Sequence, residues 1–346
     1  MEKIDIVSLT KTELKNEIKK LSLPSFRADQ IYDWLHKKDA VSFSEMTNLS
    51  KALISQLNDN FVIFSCSIEK KLVSRYDDTV KYLFKLHDGE YLECVVMKYK
   101  YGYTICVSTQ VGCKMGCAFC ASGIGGFKRQ LRPSEILGQI YAARRDLDVR
   151  ISRIVLMGMG EPLDNFDNVM RFLELVGNED GLNIGMRHIS LSTCGITERL
   201  DDLAARDLQL TLSVSLHAPD DATRSRIMPA NRGRGVDELF RKCSAYYEKT
   251  GRRISFEYAM IDGVNDSAEQ AELLARRVKP LSAHVNLIPL NHVDERHFSP
   301  STPENMRRFV EILEKNGVNV TVRRRLGSDV DASCGQLRRK SMEGKI

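Results

Sequence analysis

Three cysteines, Cys113, Cys117 and Cys120, stand at C-x3-C-x2-C spacing within Gly112-Cys113-Lys114-Met115-Gly116-Cys117-Ala118-Phe119-Cys120. A trio this close can wrap one metal centre, and that demand limits the loop's shape more than any other feature of the chain. Structural zinc takes four closed ligands, usually as two separated pairs. No fourth Cys or His follows at a fitting distance. A cubane 4Fe–4S cluster has four irons, so three thiolates leave one iron open to a further ligand. Four of the other cysteines, Cys66, Cys94, Cys194 and Cys243, are scattered and read as small buried hydrophobes. Cys106 and Cys334 lie in contexts that ask for chemistry.

The chain has 346 residues and 42% hydrophobic composition, enough for one large core or a core with a small appended domain. No apolar run approaches the roughly 20 residues that span a bilayer, so no membrane partner is expected. The start, Met1-Glu2-Lys3-Ile4-Asp5, lacks a signal peptide's apolar block, and a cytoplasmic location follows. A formal charge of +5 permits a polyanionic partner without requiring one.

Residues 1–60 carry apolar residues at helical spacing over Leu9–Leu21 and Arg27–Lys37, broken at Leu23-Pro24-Ser25. Residues 61–98 read instead as short strands around an Asp88-Gly89 turn. From residue 99 to 346 the rhythm becomes strand, loop, helix, repeated. Candidate strands are Thr104–Ser108, Ile151–Met157, His188–Ser192, Gln209–Ser215, Ile254–Met260, Ala283–Ile288 and Val318–Arg323. Helices begin near Pro133-Ser134-Glu135 and at Thr302-Pro303-Glu304, the latter stopping at Gly317. Alternating elements predict an α/β fold with a parallel sheet, a full or partial (β/α) barrel, with a doubly wound open sheet as the alternative. A helical N-terminal module and a small β extension precede it.

Barrel enzymes place their chemistry at the C-terminal ends of strands. The distinctive residues fall there: Gly158-Met159-Gly160-Glu161-Pro162, Thr193-Cys194-Gly195, Ser215-Leu216-His217, Pro289-Leu290-Asn291 and Asp331-Ala332-Ser333-Cys334-Gly335. Alone, a Gly-x-Gly-Glu loop is a tight turn and Ser-Leu-His a buried histidine. Their joint arrival at one rim, beside the cysteine loop, argues for a shared site.

The cysteine spacing, with Phe119 before Cys120, resembles the radical S-adenosylmethionine signature. The five rim loops together resemble the RlmN/Cfr family of RNA adenine methyltransferases, RlmN-type C2 enzymes above all, over nearly the whole chain including Ser25-Phe26-Arg27-Ala28-Asp29-Gln30. The resemblance implies a partial barrel of the radical S-adenosylmethionine type. It implies that Cys113, Cys117 and Cys120 hold a 4Fe–4S cluster, and that Gly160, Glu161, Ser192, Ser215, Leu216, His217 and Asn291 line the S-adenosylmethionine site. Cys194 and Gln130 depart from the more familiar serine and asparagine, at positions with no essential role. Pro162 favours the C2 subgroup, since C8 enzymes tend to have alanine there.

Adenine C2 is electrophilic, which closes the polar route to methylation and makes a radical one reasonable. The scheme implied by the resemblance consumes two S-adenosylmethionine molecules per turnover. Cys334 takes a methyl group from one by displacement, and cleavage of the second at the cluster yields a radical that removes hydrogen from that thiomethyl group. The resulting carbon radical joins the adenine ring, crosslinking Cys334 to RNA. Glu93 then matches the family's proton acceptor, and Cys106 the resolving thiol that forms a transient disulfide with Cys334. Without the resemblance, Cys106 reads as a core thiol and Glu93 as a surface carboxylate. Basic Arg323-Arg324-Arg325 would favour the thiolate of Cys334.

The implied partners are 23S ribosomal RNA, transfer RNA and an electron donor such as flavodoxin or ferredoxin. Basic clusters at Lys128-Arg129, Arg144-Arg145, Arg323–Arg325 and Arg338-Arg339-Lys340 suit phosphate contacts around an extruded base. The N-terminal helices suit recognition of RNA by shape. Three alternatives stay open: Cfr-type C8 methylation of 23S rRNA, a radical enzyme for another substrate, and a non-enzymatic zinc protein that binds RNA. The second should lack the Cys106/Cys334 pair, and the third should be colourless.

Overall fold

The computed structural model describes residues 3–291, 293 and 295–330. At the N-terminus a two-residue strand β1 (Ile4–Asp5) precedes α1 (Lys11–Lys20), α2 (Phe26–His36) and α3 (Lys51–Asn60), and β2 (Phe61–Val62) returns to pair with β1. Helix α1 starts at a capping box: the Thr10 hydroxyl accepts from the Glu13 amide, and the Glu13 carboxylate accepts from the Thr10 amide. Ser50 caps α3 in the same way with a single bond.

Three antiparallel strands follow, β3 (Ser67–Val73), β4 (Val80–Lys85) and β5 (Tyr91–Tyr99), and β5 turns into β6 (Gly102–Cys106). A short antiparallel ribbon, β7 (Gln110–Gly112) with β8 (Phe127–Gln130), then brackets the cysteine loop. Alternation sets in after it: α4 (Pro133–Leu147), β9 (Ile151–Leu156), α5 (Phe166–Gly177), β10 (Ile189–Thr193), α6 (Thr197–Ala205), β11 (Thr211–Ser215), α7 (Asp221–Ile227) and α8 (Val236–Thr250). It continues through β12 (Ser255–Met260), α9 (Ala268–Val278), β13 (His284–Pro289), α10 (Pro303–Lys315) and β14 (Asn319–Val322).

One ten-stranded sheet results, in the order β3-β4-β5-β6-β9-β10-β11-β12-β13-β14. Every neighbour from β6 to β14 is parallel and the strand order never reverses. A doubly wound sheet must reverse at its switch point, so the order selects the (β/α) barrel. Among the described residues no pairing joins β14 back to β3, and the barrel is partial.

The strands read with period two. On β10, Ile189 and Leu191 are buried in the core, while Ser190 and Ser192 face the interior cavities. On β11, Leu212 and Val214 join the core, while Ser213 and Ser215 face the interior cavities. Small polar residues on the inner face leave the barrel hollow where large aliphatics would fill it.

The N-terminal helices share the barrel's core. Ile6, Leu14, Ile31 and Leu57 belong to the same buried cluster as Ile136, Ile140 and Phe172. Polar contacts reinforce the seam: Lys11 to Asp180 (2.7 Å), Arg171 to Glu13 (2.7 Å), Arg144 to Asp39 (3.2 Å) and His36 Nδ1 with the Tyr141 hydroxyl (2.7 Å). The β3–β5 segment likewise continues the barrel sheet without a break.

Candidate active site

The cysteine loop is fixed at both ends by the β7–β8 ribbon, with Gln110 opposite Gln130 and Gly112 opposite Phe127. It is tied down in between. The Ala118 amide donates to the Ile227 carbonyl (2.8 Å), Arg296 to the Cys120 carbonyl (3.2 Å), and Lys114 pairs with Asp164 (2.7 Å). Met115, Cys117 and Phe119 pack against an apolar patch that includes Ile227, Met228 and Leu290.

Burial pushes the Cys113 thiol up to about 11 and raises Cys117 as well, with the neighbouring cysteines adding to both shifts. Thiols in such a pocket ionise when a metal centre takes them. Among the described residues no three His, Cys, Asp or Glu side chains converge as they would around a single ion. A cubane asks for one thiolate per iron corner, which three thiols spread along one loop can supply. The donor set therefore fits a cluster.

A cavity of about 590 Å³ opens at the C-terminal ends of the parallel strands, a size suited to a cofactor. Cys106, Cys113, Cys117 and Cys120 line it, as do Gly160, Glu161, Ser192, Ser215, His217 and Asn291. Leu216 is different: it is fully buried in the core and does not line the cavity, its amide donating to the Glu257 carbonyl (3.1 Å) and its carbonyl accepting from Arg224 (3.0 Å).

Two glycines let the β9 loop approach so closely. A Cβ on Gly158 would sit 2.6 Å from the Val107 carbonyl, and Gly160, at φ +103°, would press one to 2.6 Å from Gln110. The Glu161 carboxylate accepts from the Cys194 amide (2.7 Å) and the Leu163 amide (3.0 Å), joining the β9 and β10 loops. Burial raises its proton affinity, and those amides oppose the shift. Gln130 joins the same brace, donating to the Asp164 carbonyl (2.8 Å) and accepting from Gln110 (2.8 Å). The Gln110 side-chain oxygen in turn accepts from the Glu161 amide (2.8 Å).

Ser192 and Ser215 bring their hydroxyls within 3.3 Å of each other on neighbouring strands. His217 sits at φ +57° and accepts from the Ala259 amide through Nδ1 (2.9 Å). Burial depresses its pKa to about 3, so the ring is neutral and carries its proton on Nε2. Its ring meets Phe119 edge-on, with centroids 4.9 Å apart.

Cys106 lies in a small apolar cluster with Val95 and Met97, with Leu326 packed against it. Glu93 belongs to the same face of β5 as Val95 and Met97, one step closer to the rim. Rather than a surface carboxylate, it is 2% exposed and 3.4 Å from the fully buried ammonium of Lys81. Its carbonyl accepts from the Ser108 hydroxyl (2.6 Å).

Past β14, residues 323–330 cross the open side of the sheet. The Gly327 amide donates to Asp77 and the Arg75 amide to Asp329, both at 2.8 Å. Arg323, Arg324 and Arg325 line the cavity from this strap. Cys334 and the 338–340 basic cluster lie outside the described residues.

Three residues of the basic clusters are committed to the protein itself. Arg129 pairs with Glu135 (2.7 Å) and Asp88 (2.6 Å), and Arg144 with Asp39, while Arg145 donates to the Asp39 carbonyl (3.1 Å). The sequence reading missed Lys81 and Arg224. Lys81 left a signal, a cation inside the otherwise apolar Val80-Lys81-Tyr82-Leu83-Phe84 run. Arg224 left none.

Residues 107–275 match the radical SAM superfamily model, and residues 4–63 match the ribosomal RNA large subunit methyltransferase N-terminal domain. The chain is 52% identical to the probable dual-specificity RNA methyltransferase RlmN of Desulforamulus reducens, covering 98% of this chain and 97% of that protein. It is 49% identical to the protein of the same name from Lachnoclostridium phytofermentans, covering 98% and 95%. The crystal structure of a radical SAM methyltransferase from Sphaerobacter thermophilus superposes with a TM-score of 0.92 at 40% identity, covering 96% of this chain and 98% of that one.

Proposed function

This chain belongs to the RlmN family of radical S-adenosylmethionine RNA methyltransferases, and from that membership we propose that it methylates C2 of adenine in 23S ribosomal RNA and transfer RNA. The observation that carries the reading is the content of one cavity: the three cluster cysteines, two further cysteines, Cys106 and Cys194, and the strand-end loops face the same space. Burial and the neighbouring Glu161 keep the Cys194 thiol protonated, which leaves Cys106 as the thiol to resolve a methyl-carrying cysteine.

When bound, a 4Fe–4S cluster and S-adenosylmethionine would supply one-electron cleavage chemistry and the methyl group. The remaining work falls to this chain's own side chains. Cys113, Cys117 and Cys120 hold the cluster. Ser192, Ser215 and Asn291 offer hydroxyl and amide groups to a polar cofactor, and neutral His217 offers an Nε2 donor. Cys334, four residues along the sequence from Val330, serves as the methyl acceptor. Glu93 takes the ring proton, and the Cys106 thiol attacks the Cys334 sulfur to free the methylated base. Phosphates of the RNA meet Arg323, Arg324 and Arg325 at the mouth. A low-potential electron carrier of the flavodoxin or ferredoxin class would be the source of the electron.

The test is mass spectrometry of nucleosides from ribosomal and transfer RNA treated with the reconstituted enzyme. The reading expects 2-methyladenosine from both. Formation of 8-methyladenosine would move the chain to the C8 chemistry.

A further inference from the structure

Arg224, on α7, is 1% exposed, and among the described residues no ion pair neutralises it. Burying a guanidinium without a carboxylate costs several kcal/mol unless hydrogen bonds compensate. Here they do. Nε donates to the Leu216 carbonyl (3.0 Å), Nη1 to the Asn231 side chain (2.6 Å), and Nη2 to the carbonyls of Cys194 (2.7 Å) and Ser215 (3.2 Å).

Those carbonyls are not arbitrary. Cys194 follows β10, whose end presents Ser192 to the cavity, and Ser215-Leu216 close β11 just before His217. One planar fork thus ties together the two strand ends whose side chains line the cofactor cavity. The opposite end of the same short helix holds the cysteine loop: the Ile227 carbonyl accepts from the amide of Ala118, between Cys117 and Cys120. Asn231 anchors the fork in turn, donating to Asp221 (2.8 Å) and Ser225 (2.9 Å).

Resting on the family reading above, we propose that Arg224 is a positioning residue that sets the spacing between the cluster loop and the two strand-end loops that hold S-adenosylmethionine. Its chemistry fits the task. A guanidinium offers several donors in one rigid plane, so it fixes the relative position of several acceptors at once, which a lysine cannot do. Two bound groups that must react with each other tolerate little misplacement, since small displacements cost large factors in rate.

The experiment compares wild-type protein, Arg224→Lys and Asn231→Ala, each reconstituted anaerobically. Iron content and thermal unfolding report the fold and the cluster. The affinity for S-adenosylmethionine and its perturbation of the reduced cluster's electron paramagnetic resonance spectrum report the spacing. Arg224→Lys keeps the charge without the fork; it should retain its iron while binding S-adenosylmethionine about tenfold more weakly, the loss expected for hydrogen bonds left unmade. Its cluster spectrum should respond incompletely at saturating cofactor. Asn231→Ala frees one end of the fork and should fall between. A purely structural arginine gives a different pattern: lower unfolding temperature, but unchanged affinity and spectral response in the folded fraction. That pattern overturns the proposal. If Arg224→Lys does not fold, wild-type affinity and response in Asn231→Ala overturn it equally. A wild-type protein that binds no iron overturns the cofactor reading instead.

Discussion

The ammonium of Lys81 lies 3.4 Å from the carboxylate of Glu93, and neither side chain reaches solvent. The two sit on adjacent antiparallel strands, Glu93 opposite Leu83 and Lys81 opposite Val95, so the contact runs diagonally across the pair. An isolated charge at this depth would be expensive, and each side chain makes the other tolerable. Lys81 thereby fixes where the Glu93 carboxylate sits.

If Glu93 is the proton acceptor, Lys81→Met should slow methyl transfer by roughly 10²- to 10⁴-fold, the range for losing a general base. Uncoupled cleavage of S-adenosylmethionine should stay near wild type, because no cofactor contact is touched. Lys81→Arg, which keeps the charge, should recover part of the rate. Single-turnover methylation alongside a cleavage assay separates the two steps. Equal loss of both would mean that Lys81 only supports the sheet.

Cys106→Ala tests the resolving thiol. The variant should still methylate Cys334 and attack the adenine, then stall with the RNA attached through sulfur. A nuclease-sensitive gel shift detects the adduct. Cys334→Ala should give none, and the double variant should behave like Cys334→Ala. Normal turnover in Cys106→Ala would reduce that thiol to a packing role beside Val95 and Met97.

The sequence already declared the parts whose signal is local. The strand-loop-helix rhythm, the C-x3-C-x2-C spacing and the rim motifs are short patterns, and the structure gathers all of the described site candidates except Leu216 and Glu93 around one space. What stayed hidden depends on partners far apart in the chain. Arg129 and Arg144 look like an RNA-binding surface until Glu135, Asp88 and Asp39 are seen against them. The brace of Gln110, Gln130 and Glu161 spans three separate segments. Glu93 could not be read as buried without its neighbour strand, since β5 alone alternates too weakly to assign its faces.

Two histidines make stability depend on pH. Burial lowers both His36 and His217 to about 3, against an unfolded value near 6.5. Below pH 6.5 the unfolded chain therefore binds protons that the folded one refuses, and stability falls as pH falls. Each histidine removes about 1.4 kcal/mol per pH unit in that range. Denaturant unfolding from pH 7.5 to 5 should show the decline, while nuclear magnetic resonance of the folded protein should show neither ring titrating. A folded-state titration near pH 6.5 for either ring would contradict its burial.

The N-terminal helices invite a truncation, and the shared core fixes its outcome. Were residues 1–60 an independent RNA-binding module, their removal would weaken RNA binding and spare cofactor cleavage. Ile6 and Val7, however, pack where the chain meets α4 and α5, and Leu14, Ile31 and Leu57 extend the cluster that holds Ile140 and Phe172. Deletion would open that surface to water, at about 25 cal/mol for each Å² of apolar area. Loss of the seam contacts at Asp39, Asp180 and Tyr141 would add to the cost. The 61–346 fragment should therefore aggregate or unfold rather than survive as a working barrel. Leu14→Ala, in the intact chain, should cost about 2–5 kcal/mol and move the main unfolding transition, not an early separate one. A soluble fragment with a full complement of iron, or a distinct first transition in Leu14→Ala, would show that the module folds apart from the barrel after all.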